Sequence, residues 1–592
     1  MKFLHVAQVF ADIKKVSSRI TMTQLLGDLL RQASPDEAQV LCYLSLGVVR
    51  PVYQGNQFNL AAKSITEFVA QQCNMTESQA KHELHTMGDF GAVLQAYCTM
   101  CSSQHHVSIM YVYKELVAIE ALEGKGSMQS RLDMLKAVCD QLSAIEQGLV
   151  VNIITGSLRL GFSDMTVLDA LSYMVTGDKS LKTSIEHAYN VCADIGYIAR
   201  IIKEQQDHDE VDSTIKEKVL KRLQEIEVIL GVPILPAAAE RLPDAAAILE
   251  KIGPCVAQPK LDGFRLQIHV SRSRDEEKIW FFSRHLQNIS QQFPELAQAF
   301  THSSVESCIL EGEAIVYNEE EHRFLPFQVT AKRKRKHDIK EAAQEFPLRL
   351  YLFDILYLNG TSCMNLSHEK RRIVLKDLFP RPLDNRVYVI EEQEITSAVQ
   401  LEKLFYREIE QGLEGLVVKR PAAHYQPGKR NFNWIKLKKH ESNKLLDTVD
   451  AVLVGYYYGG GRRAGFGIGA LLCAVYDQEA DRFVTIGKVG TGMTDEDLKM
   501  LKKQGDRYQV HQQPKQVDYP PELLPDVFVD PHLVVVIDAE EITRSPVHTA
   551  GKKDDEPGYA LRFPRFMGLR EDKGIYEATT IQEIKKFYGK KA

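Results

Sequence analysis

No stretch of this sequence is apolar for long enough to cross a membrane. Apolar runs such as Leu533–Ile537 fall far short of the roughly 18 residues that a spanning helix needs. The opening residues, Met1-Lys2-Phe3-Leu4-His5, lack the apolar core of a signal peptide, so none is expected. No long tract is starved of apolar residues either. They make up 44% of the chain, which excludes a mainly disordered protein. There is no excess of positive charge: 73 basic and 79 acidic side chains give a net charge of −6. That excludes a uniformly basic nucleic-acid binder but leaves room for local basic surfaces. The ten cysteines follow no spacing rule, which suggests reduced thiols in an intracellular compartment. No repeat of fixed period and no low-complexity tract is visible.

What is present is the length and patterning of a multidomain globular protein. A chain of 592 residues fits about three to five domains. Residues 1–229 read as helical, with Leu25, Leu26, Leu29 and Leu30, and again Leu132, Leu135, Val138 and Leu142, at helical spacing. A helix is expected from Ser213 to Leu230. The segment Gly231-Val232-Pro233-Ile234-Leu235-Pro236 cannot easily continue it, which places a domain boundary near 230. From about 255 the period changes to two. Arg265–Val270, Cys308–Tyr317, Leu348–Leu358 and Gly415–Lys419 read as strands of a mixed α and β region. After His440 come Ala451–Tyr458, Ala470–Tyr476 and Leu533–Ile537, which suit a small β-barrel.

The segment Lys260-Leu261-Asp262-Gly263-Phe264-Arg265 is expected in a turn before a strand, and alone it is weak evidence. An ordered series follows it. Glu311-Gly312-Glu313 begins a strand with both carboxylates on one face. Glu414 stands at the start of Gly415–Lys419. Lys436 and Lys438 alternate with Ile435 and Leu437. Two ammonium groups side by side repel each other unless anions lie between them, although a solvated edge strand is the bland alternative. A lysine, carboxylates and further cations in one β-rich region suit nucleotidyl transfer. The amine attacks an α-phosphate, carboxylates hold Mg²⁺ and cations neutralise phosphate. Free lysine has a pKa of about 10.4, so burial and neighbouring cations such as Lys436 and Lys438 must favour the neutral amine.

In this order, the series resembles the motifs of the covalent nucleotidyltransferases. Over nearly the whole chain it is similar to the ATP-dependent DNA ligases of the archaeal and eukaryotic replicative type. The resemblance implies that Lys260 becomes adenylated and that Arg265 contacts the nucleotide and nick. Arg284, in Ser283-Arg284, would meet ribose or the nick phosphate. Glu313 and Glu414 would be linked to metal, and Phe353 would stack on adenine. Lys436 and Lys438 would bind phosphate, with Arg430 also at the ATP site. Arg565, Arg570, Asp572 and Lys573 would form the barrel motif that swings over ATP for the first step. Gly156-Ser157-Leu158-Arg159-Leu160-Gly161 resembles the family's helical DNA-binding domain, with Arg159 on DNA. Gln258 departs from the family's usual glutamate beside adenine; glutamine can accept from the adenine amino group and can also donate. The implied architecture is a multidomain chain: an all-α DNA-binding domain (1–229), an α+β nucleotidyltransferase domain (230–440) and a C-terminal OB-fold β-barrel (441–592). The implied activity is sealing of 3′-OH/5′-phosphate nicks in duplex DNA, for replication, recombination and repair. ATP would be the substrate and Mg²⁺, or Mn²⁺, the metal.

Other features carry less. The cationic run Lys332-Arg333-Lys334-Arg335-Lys336 is expected near DNA, with a solvated face or a targeting signal as alternatives. Arg462 and Arg463 lie in glycine-rich sequence that matches no phosphate-binding fingerprint and reads as a flexible turn beside DNA. Cys98, Cys101, His105 and His106 invite a zinc reading, but a second pair at standard spacing is missing. No clear sliding-clamp peptide is present; Gln582 to Tyr588 comes nearest and fails at Lys585. The chain is expected to be a monomer without membrane contact, in the cytoplasm or nucleoid if prokaryotic. The alternatives are an RNA ligase or capping-type enzyme, which residues 1–229 do not support, and a catalytically silent nick-binding clamp, against which Lys260, Glu313 and Glu414 argue.

Overall fold

The structure is a computed structural model. It describes residues 1–16, 18–55, 58–99, 107–124, 126–158, 160–161, 163–206, 213–273, 276–301, 303, 305–320, 323–325, 329–330, 332–333, 339–438, 448–553, 556–570 and 573–589. Packing divides the chain into two compact units. One comprises 1–59, 105–138 and 158–439; the other comprises 60–104, 139–157 and 440–592. The expected helical segment therefore contributes to both.

The first unit begins with helices whose starts are written in local sequence. Ser34 precedes Pro35–Ser45, with proline at the first helical position. The Glu37 backbone N–H donates to Ser34 Oγ at 3.3 Å, and Ser34 N–H donates to Glu37 Oε2 at 3.0 Å. The last helix before the sheets, Ser213–Gln224, stops short of the expected Leu230. Tertiary packing explains the difference. Val228 and Leu230 lie against a cluster containing Ile234, Ile309, Leu356 and Trp434, so this stretch is drawn out of helical geometry toward the sheet core.

Two sheets follow. A five-stranded sheet contains Cys255–Lys260, flanked by Gly415–Lys419 and Gln393–Ile395, and Arg430–Lys438 beyond Gly415–Lys419. A seven-stranded sheet is built around Phe264–Arg272, Ser307–Asn318 and Leu348–Leu358. Alternation decides the faces. Ile435 and Leu437 enter the core of the smaller sheet with Leu416, Val418 and Ala257, while Lys436 and Lys438 face away. Two expectations need adjustment. Lys260 is not in a turn but is the last residue of a strand, and the turn is 261–263. Glu311 and Glu313 lie within Ser307–Asn318 rather than at its start.

In the second unit, Val449–Tyr457 is the central strand of a curled sheet. It pairs with Ala470–Asp477 on one side and with Val527–Val529 and Val534–Asp538 on the other. Val534–Asp538 carries Arg565–Leu569, and a parallel bridge from Thr491 to Arg565 links back to the far side. The expected flexible turn around Arg462 and Arg463 is instead a 3₁₀ helix, Gly461–Phe466. Among the described residues no helix is long and apolar enough to cross a membrane.

Candidate active site

Strand register assembles the site. Gly415 lies opposite Lys260 on one side and opposite Lys438 on the other. Glu414, one residue earlier, therefore stands between two lysines. Lys260 Nζ pairs with Glu414 Oε2, and Lys438 Nζ lies 2.9 Å from Glu414 Oε1. Burial raises the Glu414 carboxyl, but the two ammonium groups outweigh it and hold the group below the usual glutamate range. Lys436 is depressed by burial first, then by Lys438, Arg430, Lys260 and Arg284. Cations gathered this closely repel one another, which a polyanionic ligand would relieve.

The second carboxylate comes from the larger sheet. Glu313 is opposite Arg265, and Glu313 Oε1 accepts the Gly263 backbone N–H at 3.1 Å. A Cβ at 263 would lie 2.2 Å from the Ala314 carbonyl oxygen, so only glycine allows this approach. Burial pushes the Glu313 carboxyl up to about 7, against the opposing pull of Lys260, Arg265 and the Gly263 N–H. The Arg265 guanidinium donates to both oxygens of Glu311, at 2.8 and 3.0 Å, and to the Ala237 carbonyl at 2.7 Å. It also lies 5.5 Å from the ring centroid of Phe353. Arg265 is thus already held by protein partners at the cavity wall.

All ten residues expected at the nucleotide site of the first unit line one cavity of about 580 Å³: Gln258, Lys260, Arg265, Arg284, Glu313, Phe353, Glu414, Arg430, Lys436 and Lys438. No cluster of three or more metal-ligating side chains occurs among the described residues. Glu313 and Glu414 nevertheless fit Mg²⁺, which commonly takes one or two carboxylates and completes its shell with water and substrate phosphate.

Several expected residues lie elsewhere. Arg333 is buried, with its guanidinium on Glu295 and the Gln292 carbonyl. Its expected DNA contact is corrected, because a buried, paired arginine serves the fold. Lys332 is exposed, 5.4 Å from the Phe346 ring centroid. Arg463 Nη1 donates to the Gly469 and Gly490 carbonyls at 3.0 and 2.8 Å, which ties the 3₁₀ segment to the curled sheet. Arg565 begins the strand Arg565–Leu569, and Arg570 and Lys573 follow it in the second unit. Arg159, Asp572, Cys101, His105, His106 and 334–336 lie outside the described residues, as does the side chain of Arg462.

Sequence reasoning missed a charged layer at the cavity wall, where Lys419 lies, and behind it. Lys419 is buried, with Nζ 3.2 Å from the Phe353 carbonyl and 4.3 Å from the Trp434 ring centroid. Burial first, then Arg371 and Arg372, lower it to about 8 against Asp354 and Glu392. Its signal was a lysine ending the otherwise apolar run Leu416-Val417-Val418. Asp354 pairs with Arg371 at 2.7 Å, and Glu392 takes hydrogen bonds from Gln258 and His368. Nothing local in the sequence marks Glu392.

Three family models match the chain: "DNA ligase N terminus" over 2–172, "ATP dependent DNA ligase domain" over 236–438 and "ATP dependent DNA ligase C terminal region" over 464–573. A protein of Dictyoglomus turgidum named "Probable DNA ligase" is 39% identical over 586 residues, covering 99% of this chain and 97% of that protein. The "DNA ligase" of Sulfolobus acidocaldarius is 34% identical over 607 residues, covering 99% and 98%. A solved structure called Pmar-Lig_PreS3 is 15% identical, covers 95% of this chain and 99% of that one, and aligns with a TM-score of 0.54, a likeness of fold. With the lysine, carboxylates and cations gathered on one cavity, and with relatives matched from end to end, this chain belongs to the ATP-dependent DNA ligase family.

Proposed function

We propose that this protein seals 3′-OH/5′-phosphate nicks in duplex DNA, with Lys260 as the nucleophile that carries AMP. The carrying observation is the placement of Lys260 Nζ. It is oriented by Glu414 on the wall of a cavity that also presents Glu313, Lys436, Lys438, Arg284, Arg430 and the Phe353 ring. As the neutral amine, Nζ attacks the α-phosphorus of ATP. The N–P bond forms and pyrophosphate leaves. Lys436, Lys438, Arg284 and Arg430 neutralise phosphate charge as it shifts. A 5′-phosphate oxygen at the nick then attacks the AMP phosphorus, and Nζ leaves. In the third step the 3′-OH attacks the 5′-phosphorus and AMP departs. Glu313 and Glu414 are the residues that would hold Mg²⁺, which when bound neutralises phosphate charge and activates the attacking oxygen.

Residues 1–229 would serve DNA binding, 230–440 adenylation and 441–592 the closing barrel. Backbone contacts to duplex DNA make binding weaken with salt. The test uses α-labelled ATP, GTP or NAD with Mg²⁺, followed by nicked DNA. Label from ATP, lost from protein as nicks close, supports the reading. Label from GTP alone favours a capping-type enzyme, and no label from any nucleotide favours a silent clamp.

A further inference from the structure

Gln258 and Lys260 alternate on the strand Cys255–Lys260, so their side chains share a face, and both line the cavity. Two residues along a strand are about 7 Å apart. A nucleotide with its α-phosphate at Lys260 can therefore lay its base near Gln258, beside the Phe353 ring. An amide is ambiguous in such a place, because either end can face the ligand and the two ends select opposite chemistry.

Here the ambiguity is removed from behind. Gln258 Nε2 donates to Glu392 Oε2 at 2.8 Å, and His368 Nε2 lies 2.7 Å from the same oxygen. Burial raises the Glu392 carboxyl, but His368, Lys419 and Arg372 outweigh it and bring it down to about 2. His368 Nε2 faces an oxygen that only accepts, so it donates there. An ionised carboxylate only accepts, so the amide nitrogen must face Glu392 and the amide oxygen is left for the cavity. Among the described residues, no hydrogen bond to that oxygen is formed.

Topology keeps Glu392 there. It lies between Val387–Val389, which joins the larger sheet, and Gln393–Ile395, which joins the smaller one. Gln393 is opposite Ala257, which brings Glu392 alongside Gln258. The same pairing suits a neutral amide at 258. A carboxylate at 258 would face Glu392 directly, and like charges so close disfavour each other.

We infer that Glu392, acting through Gln258, is the positioning residue that sets this enzyme's preference for a purine bearing a 6-amino group. It pins the Gln258 amide with its oxygen toward the base. A 6-amino group donates to that oxygen. A 6-oxo group opposes lone pair to lone pair, and a site built for one partner discriminates strongly against the other. The inference rests on the ATP reading above and deepens it.

The test measures labelling of Lys260 by ATP and by inosine triphosphate, which replaces the 6-amino group with an oxo group without adding guanine's 2-amino group. In Glu392→Gln the neighbour can donate as well as accept, so the Gln258 amide can turn. The ATP-to-inosine-triphosphate ratio of kcat/KM should fall at least tenfold, mainly through a lower KM for inosine triphosphate. A loss of kcat shared by both nucleotides, with the ratio unmoved, would indicate a merely structural role and overturn the inference. So would an unchanged ratio in a variant that melts like the parent. A second arm places Glu392→Gln in a Gln258→Leu background. The ratio should not change further there, because the residue through which Glu392 acts is gone. A further change would mean that Glu392 acts by another route. If the unaltered protein takes label from no nucleotide, the ATP reading falls and the inference falls with it. If ATP labels it normally and only the variant ratios fail, the inference alone falls.

Discussion

Lys573 Nζ lies 2.6 Å from Asp450 Oδ2, and Arg570 Nη1 reaches the same oxygen at 3.5 Å. Asp450 is buried at the start of the central strand Val449–Tyr457. The two cations expected to meet ATP in the first step are therefore engaged inside their own unit. A partly buried ion pair of this kind is not lost without cost, so any phosphate that engaged these two cations would have to compete with Asp450.

The first prediction follows. Arg570→Ala with Lys573→Ala should slow self-adenylation by about a hundredfold or more, the scale of losing preorganised charge at a leaving group. The same variant should close a chemically pre-adenylated nick at near the normal rate, because that step involves neither ATP nor pyrophosphate. Single-turnover kinetics on both substrates separate the cases. Equal slowing of both steps would assign the pair to folding or DNA binding.

Lys260→Ala should abolish covalent AMP on the protein while leaving nick binding largely intact. The substitution removes the nucleophile and leaves Glu414 paired with the Lys438 ammonium at 2.9 Å. Labelled ATP followed by denaturing electrophoresis reads the first effect, and gel shift on nicked duplex reads the second. Persistent label would put the nucleophile elsewhere.

Much of this site was legible because strands turn spacing into proximity. Lys436 and Lys438 share a face through period-two alternation. The meeting of Glu414 with Lys260 is set by register across Gly415, which the sequence alone did not reveal. What could not be read was anything fixed by chain crossings distant in sequence. Glu392 meets Gln258 from 134 residues away, and His368 reaches it from a helix start. Charge runs misled for a related reason. Arg333 sits among cations in sequence, yet the fold turns it inward onto Glu295. The helix ending at Gln224 failed at Leu230 because packing of Val228 and Leu230 overrode local propensity.

A packing prediction concerns the second unit. Helices Phe90–Tyr97 and Ala144–Ile154 meet at Gly91 and Gly148. A Cβ at Gly148 would lie 2.9 Å from the Gly91 carbonyl oxygen and 3.1 Å from its Cα. Both atoms are backbone and cannot step aside as a side chain can. Gly148→Ala would gain up to about 1 kcal/mol of helix propensity. Overpacking costs about 1–3 kcal/mol, so the net effect should be destabilising. Urea unfolding checks this: a lower midpoint at unchanged slope is expected, and an unchanged or higher midpoint would show that the helices separate freely.

The last prediction concerns pH. Burial raises the Glu313 carboxyl from its ordinary 4.5 to about 7, despite Lys260, Arg265 and the Gly263 N–H. Between those two values the folded protein holds a proton at Glu313 that the unfolded chain has released. This contribution to stability is therefore fully present below about 4.5 and is lost as pH rises toward 7. Glu313→Gln keeps the size and the acceptor for Gly263 N–H but does not titrate. In EDTA, the melting temperature of Glu313→Gln relative to the parent should rise from pH 5 to pH 8, by about 1 °C for each kcal/mol at stake in a chain of this length. Adding Mg²⁺ at pH 8 should narrow that gap, because a cation held by the carboxylate favours its ionised form and stabilises only the parent. A gap independent of pH would remove the buried carboxyl from the account. A gap that responds to pH but not to Mg²⁺ would leave Glu313 a buried acid with no part in holding the metal.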